Sequence, residues 1–314
     1  MLSAALAFVG ALVYGSADFL GGLAARRIRA IVVTAVAAFS GMVLLLVLAP
    51  FVGGAPTAAD LAWGALSGVT GAIAVGLLYG CLAIGPMSVL SPITAVVSAI
   101  APMLWGVLVG GERLGPLGIA GLALAIVAIV LVALLPGETV TRPSARGLAM
   151  AVGSGLAIGA FLILLDQIGD GAGLMPLVLN RIVNEVITGA IAAALMIAAV
   201  RAGRGAAAAL HAQGERMGAA PSGHVDTEHS TGVMTMRRAW ALAVACGVVD
   251  TTANLLLLFA LRAGGDLAVV SALTALYPAG TVLLAAVVLR ERIAVVQWIG
   301  LACAVTAGVL LAVG

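Results

Sequence analysis

The sequence predicts an all-α integral membrane protein of ten transmembrane helices, arranged as two inverted five-helix repeats. Three observations lead there. First, 63% of the 314 residues are hydrophobic and only 9% are charged, with a mean hydropathy of +1.24. Soluble domains carry roughly 25% charged residues, so lipid has to be the solvent for this much apolar surface. Second, charges, Pro and Gly cut the chain into apolar runs near the ~20 residues that a ~30 Å hydrocarbon core requires. Third, residues 77–94 (LLYGCLAIGPMSVLSPIT) match residues 257–274 (LLFALRAGGDLAVVSALT) at seven of eighteen positions. The matches include Gly85/Gly265, Ser91/Ser271 and Thr94/Thr274, and Tyr79 faces Phe259. The offset of 180 holds five spans, an odd number, so the second copy enters the membrane upside down relative to the first.

In order, the expected spans are 2–23, 31–52, 61–84, 87–109 and 116–135, then 147–165, 174–199, 239–261, 267–289 and 294–312. The first has no basic region ahead of it and reads as a helix, not as a cleaved signal peptide. Trp63 and Trp240 open the third and eighth spans, and Gly111-Glu112-Arg113 and Arg290-Glu291-Arg292 close the fourth and ninth. The repeats are expected at 1–136 and 147–314, joined by PGETVTRPSARG. The long polar stretch 201–238 holds all three histidines and reads as a flexible loop.

Pro92 and Pro102 in the fourth span and Pro278 in the ninth predict kinked helices at equivalent places in the two halves. Such a pair is a pointer to a binding site and hinge. The fifth and tenth spans carry little besides Gln297 and are expected at the periphery. Gly64/Gly68, Gly76/Gly80, Gly155/Gly159 and Gly300/Ala304/Gly308 make small-xxx-small faces, which let helices approach closely in lipid. The last of these could equally face a second protomer, leaving a monomer or a homodimer open.

Twelve of the fifteen arginines fall in or beside the loops between spans 1–2, 5–6, 7–8 and 9–10, and only Arg113 and Arg262 lie on the opposite face. The positive-inside rule then places both termini outside. A net charge of +2 gives no reason to expect nucleic acid. Cys81, Cys246 and Cys303 lack metal or redox spacing and read as packing residues. No metal site and no cofactor are expected.

Polar groups inside spans are the candidate site, because a carboxylate at mid-bilayer costs about 2.5–3.5 kcal/mol and so faces a cavity or a partner. Tyr14 and Asp18 share a face of the first span. Asp18 is either a proton- or cation-binding carboxylate at a cavity mouth or a partner of Arg26 or Arg27. On the seventh span, Asn180/Asn184 and Arg181/Glu185 form two i,i+4 pairs that suit a polar cavity wall. Asp250 and Asn254 share a face of the eighth span; Asp250 sits near mid-membrane, as a functional group or as a buried salt bridge to Arg181. Ser91, Thr94, Ser271 and Thr274 recur in both repeats and are candidates for the cavity, although such hydroxyls mostly bond their own backbone. Tyr79 and Tyr277 are aromatic candidates for its lining.

A duplicated membrane unit is the usual signature of a carrier. YGSADF (14–19), GERLGPLGIAG (111–121), RERIAVVQWIG (290–300), Pro278 and Arg181 also resemble the drug/metabolite transporter superfamily, specifically its EamA-type ten-helix carriers. The resemblance implies export or exchange of a small metabolite or drug through a central cavity in the cytoplasmic membrane, often coupled to protons; the mixture of Asp, Arg and Asn in the spans suits a zwitterion such as an amino acid. It draws attention to Asp18, because related small multidrug proteins use a carboxylate in their first helix. It implies cytoplasmic termini, against the arginine count. The expected partners are a small-molecule substrate and membrane lipid. The alternatives are an intramembrane enzyme built on Arg181, Asn184 and Glu185, or a non-transporting scaffold; without a nucleophile–base pair at membrane depth, an enzyme is not expected.

Overall fold

The computed structural model describes residues 1–25, 27–84, 87–133, 144–203, 235–288 and 294–313. Among these residues the chain is all-helical, with no strand element. Eleven α-helices follow in order: α1 Leu2–Ala25, α2 Ala30–Val52, α3 Ala58–Ile84, α4 Met87–Leu108, α5 Pro116–Ala133 and α6 Ala145–Asp166 come first. After a short 3-10 turn at Asp170–Ala172 come α7 Met175–Arg201, α8 Met236–Arg262, α9 Leu267–Thr274, α10 Tyr277–Val288 and α11 Val295–Val313. Taking α9 and α10 together, eight helices are long and apolar enough to cross a membrane; Ile93–Leu108 and Pro116–Val132 are shorter apolar helices. Most of the expected loop 201–238, most of the expected linker 136–147, and Arg26, Arg290, Glu291 and Arg292 lie outside the described residues.

Helix starts follow local chemistry. The Ser144 hydroxyl accepts from the Gly147 N–H, and the Thr235 hydroxyl from the Arg238 N–H. At α3, Thr57 accepts from the Asp60 N–H while Asp60 accepts from the Thr57 N–H, a reciprocal capping box.

The proline expectation divides. Pro278 coincides with a break between α9 and α10, where Leu276 and Ala279 donate to carbonyls only three residues back. The fourth helix does not break: α4 runs through Pro92 and Pro102. Room for the Pro102 ring comes from Gly159, where a Cβ would lie 3.0 Å from Pro102 Cδ.

Packing joins helices distant in sequence. α1 packs on α8 and on α9 and α10, whereas α6 packs on α3 and α4. α2 packs on α8 and α7, α7 on α3, α4 on α9, and α5 on α11. Glycines set the closest approaches. A Cβ at Gly15 would collide with the Tyr277 carbonyl, and one at Gly64 with the Pro176 carbonyl. The Gly300/Ala304 face is covered from within the chain: a Cβ at Gly300 would meet Val132, and Ala304 is buried. Near Gly308 stand Phe8 and Leu273 of the same chain. The outer faces carry Phe39, Val47, Ile119, Val186, Trp298 and Val309, all exposed.

Candidate functional site

A cavity of about 680 Å³ lies among α1, α2, α3, α7 and α8, closed in depth by α4, α6 and the α9–α10 break. Among the described connections between membrane-crossing helices, with α9 and α10 taken as one, only the α1–α2 turn contributes to its lining, through Arg29. Ala25, Ala30 and Ile31 line it beside that turn. None of 53–57, 109–115, 167–174 or 263–266 takes part. The cavity is therefore one-sided, opening where α1 ends and α2 begins.

Its two long walls differ. On α8, Cys246, Asp250 and Asn254 form one i,i+4,i+8 stripe, faced by Tyr14 and Asp18 of α1. On α3 and α6 the lining is Gly71, Ala74, Val75, Leu78, Ile158, Phe161 and Leu162.

The polar wall is a bonded chain. Arg181 Nη2 donates to Asp250 Oδ2 at 2.5 Å, and this pair is only 12% and 29% exposed. The Asn254 amide donates to the Asp250 carbonyl at 2.8 Å and to Asp250 Oδ2 at 3.3 Å. The Tyr14 hydroxyl donates to Asn254 Oδ1 at 2.8 Å. Asp250 is thus paired with Arg181 across α7 and α8, and the two charges offset each other. Asp18, by contrast, has no hydrogen bond or ion pair among the described residues, and neither has Arg29 at the mouth.

Of the residues singled out in the sequence, Tyr14, Asp18, Asn180, Arg181, Asn184, Asp250, Asn254, Thr274 and Tyr277 line this cavity. Asn180 also donates to the Ser67 hydroxyl at 2.7 Å, fastening α7 to α3. Three others do not line it. Thr94 is buried, its hydroxyl bonded to the carbonyls of Leu90 and Ala151, and Ser271 is bonded to the Ala268 carbonyl. Both satisfy backbone groups, as isolated hydroxyls in helices usually do. Glu185 points elsewhere, with a buried, unpartnered Oε2. The side chains of Tyr79 and Ser91 lie outside the described residues. The sequence reading passed over Arg29, Ser98 and Cys246, which also line the cavity. Only Cys246 had a legible signal, four residues before Asp250 on the same helical face.

The family model described as the EamA-like transporter family matches residues 228–313, which hold α8 to α11. That part of the chain is similar to an EamA-like transporter unit. That match supports a place in the drug/metabolite transporter superfamily, and with its apolar helices the chain is a multi-pass membrane protein. No curated protein matches the sequence. A crystal structure of another protein shares the fold at 15% identity, with a TM-score of 0.69 over 99% of this chain and 96% of that one.

Proposed function

We propose that this protein is a secondary carrier of the EamA-like kind that exports a small metabolite or drug by alternating access. Its cargo on this reading bears a cationic group and an apolar body, amino acids included. The observation that carries the proposal is a one-sided cavity in which the Arg181–Asp250 pair is neutral and Asp18 is left unpaired. A carboxylate held in a largely apolar cavity needs a cation or a proton to be stable, and competition between the two for Asp18 couples cargo to protons. The apolar wall of α3 and α6 takes the cargo's body.

The carrier is taken to be built from two inverted five-helix repeats of ten spans, 1–136 and 147–314. Exchange of each helix with its counterpart five spans later supports this: α1 on α8 becomes α6 on α3, and α1 on α9 and α10 becomes α6 on α4. The arginine-rich end, where the cavity opens, is assigned to the cytoplasm, with both termini outside the cytoplasmic membrane, so that cargo loads from the cell interior. The enzymatic alternative loses support because Arg181 is engaged by Asp250 and Glu185 lies off the cavity.

Purified protein in proteoliposomes, offered a panel of labelled amino acids and amines under an imposed proton gradient, tests the proposal. Asp18→Asn should cut gradient-driven flux by about tenfold or more, the loss of one charge-assisted bond of about 1.5 kcal/mol. Gradient-driven flux that is the same in this variant as in the parent would remove Asp18 from the mechanism.

A further inference from the structure

At the end opposite the cavity mouth, charged side chains bond to backbone and not to each other. Asp60 is buried; its Oδ1 accepts the Gly169 N–H at 2.8 Å, and its Oδ2 accepts the Thr57 N–H at 2.8 Å and hydroxyl at 2.7 Å. Arg262 donates to the carbonyls of Gly173 at 3.0 Å and Gly169 at 3.3 Å. Glu112 accepts the N–H groups of Leu267 at 2.6 Å and Ala268 at 2.9 Å, the first residues of α9, which have no partner within their own helix. The Ala55 N–H donates to the Gly171 carbonyl at 2.9 Å. Gly54 and Gly173 both hold positive φ, at 120° and 63°; a Cβ on Gly54 would collide with the Gly173 backbone, and one on Gly173 with the Gly53 carbonyl.

The ties of Asp60, Glu112 and Ala55 each join a segment before residue 133 to one after residue 144. The cavity end is held differently. There, the contacts among α1, α2 and α8 are an apolar cluster of Ala24, Ile28, Val32, Val33, Ala239 and Ala243. Resting on the carrier reading, we infer that Asp60, Glu112 and Arg262 form a reversible seal over the closed end of the cavity. These ties hold the second mouth shut while the first is open, and they break when the cavity changes sides. Their partners are backbone groups at helix ends and in connecting loops, which water can take over when the ties part. Breaking Arg181–Asp250 would instead strand a charge at the middle of the bundle. The seal also reaches the cavity itself, because α9, capped by Glu112, leads directly to Thr274, Ala275 and Tyr277 in its lining.

Cys246 provides a native probe, since it lines the cavity. In a Cys81→Ser, Cys303→Ser background it is the sole thiol of the original three. A membrane-impermeant maleimide should then label it from the α1–α2 end and not from the sealed end. Glu112→Ala and Arg262→Met should raise labelling from the sealed end by about tenfold for each tie lost, or about 1.4 kcal/mol each. Unchanged sealed-end labelling, in variants that keep their size-exclusion profile and melting midpoint, would overturn the seal. Should the variants not fold, deuterium exchange on the unaltered protein decides. The amides of Ala55, Gly169, Leu267 and Ala268 should exchange as one unit, well before the core of α1; exchange only on global unfolding overturns the proposal. Neither readout involves a transported solute, so failure of the chain to move any solute would count against the carrier reading alone.

Discussion

Two helix pairs frame the cavity, and they differ in chemistry more than in packing. α1 lies on α8, and α6 lies on α3. Under the proposed repeat these are the same pair, seen once in each half. Glycine makes the close approach on both sides: Gly15 of α1 stands against Gly280 and Thr281 of α10, while Gly159 of α6 stands against Ala101 and Pro102 of α4. Yet the first pair presents Tyr14, Asp18, Asp250 and Asn254 to the cavity, and the second presents Ala74, Val75, Ile158, Phe161 and Leu162. Counting on from the two glycines, Asp18 corresponds to Leu162. Packing in lipid depends on small residues at contact faces, which duplication preserves. Chemistry depends on residues facing the cavity, which packing leaves free to diverge.

Making the two walls alike should break the comparison most severely. Leu162→Asp puts a second carboxylate opposite Asp18 and removes a side chain only 3% exposed. Its expected cost is about 4 kcal/mol, combining the lost packing with an unpaired charge at membrane depth. Asp18→Leu, the reverse exchange, should leave the melting midpoint in detergent unchanged or raised, because it removes an unpaired charge. If both variants melt alike, the walls are not chemically distinct in the way described. Next in size is Asp250→Ala, which leaves Arg181 without its partner. A loss of about 3 kcal/mol is expected, at the low end for a buried pair because the cavity admits water. Combining Arg181→Met with Asp250→Leu should recover most of it, by thermal unfolding in detergent.

How much of this was legible in the sequence depends on how far each feature reaches along the chain. Helix bounds were legible, because apolar length is a local property; α2, α6 and α8 lie within three residues of expectation at each end. The faces of α1 and α8 were also legible, since Tyr14/Asp18 and Asp250/Asn254 are one turn apart. The break near Pro278 was legible too, but the unbroken helix at Pro102 was not, because what a proline does to a helix depends on the neighbour that receives it; here Gly159 accommodates the ring. Nor was the bonding of Glu112 to Leu267, 155 residues away, or the free state of Arg29 at the mouth, since a loop arginine carries no local mark of what it faces. The Arg181–Asp250 pair was weighed as an alternative, but only the packing of α2 on both α7 and α8, which brings the two side chains within reach, decides it.

A smaller effect is expected where the two walls are fastened to α7. Asn180→Leu deprives the buried Ser67 hydroxyl of its donor on the α3 side. A loss of about 2 kcal/mol is expected, since a buried polar group is left with fewer partners. Asn180→Ser, with a hydroxyl of its own, should recover part of it in the same melting experiment.

The smallest expected effect tests whether the polar wall is a network or only a row of polar residues. Tyr14→Phe deletes the hydroxyl that donates to Asn254 and leaves the ring in place. Asn254 keeps its two bonds to Asp250, and cavity water can reach its carbonyl oxygen, so the loss should be about 1 kcal/mol or less. The informative quantity is the coupling of Tyr14→Phe with Asn254→Leu in a double-mutant cycle, which should reach about 0.5–1 kcal/mol for groups in direct contact. A coupling of that size joins α1 to Arg181 through Asn254 and Asp250, so that a change of charge on the α1 wall is felt across α7 and α8. A coupling of zero would mean that Tyr14 and Asn254 merely adjoin, leaving the α1 wall without a link to the α8 wall through this bond.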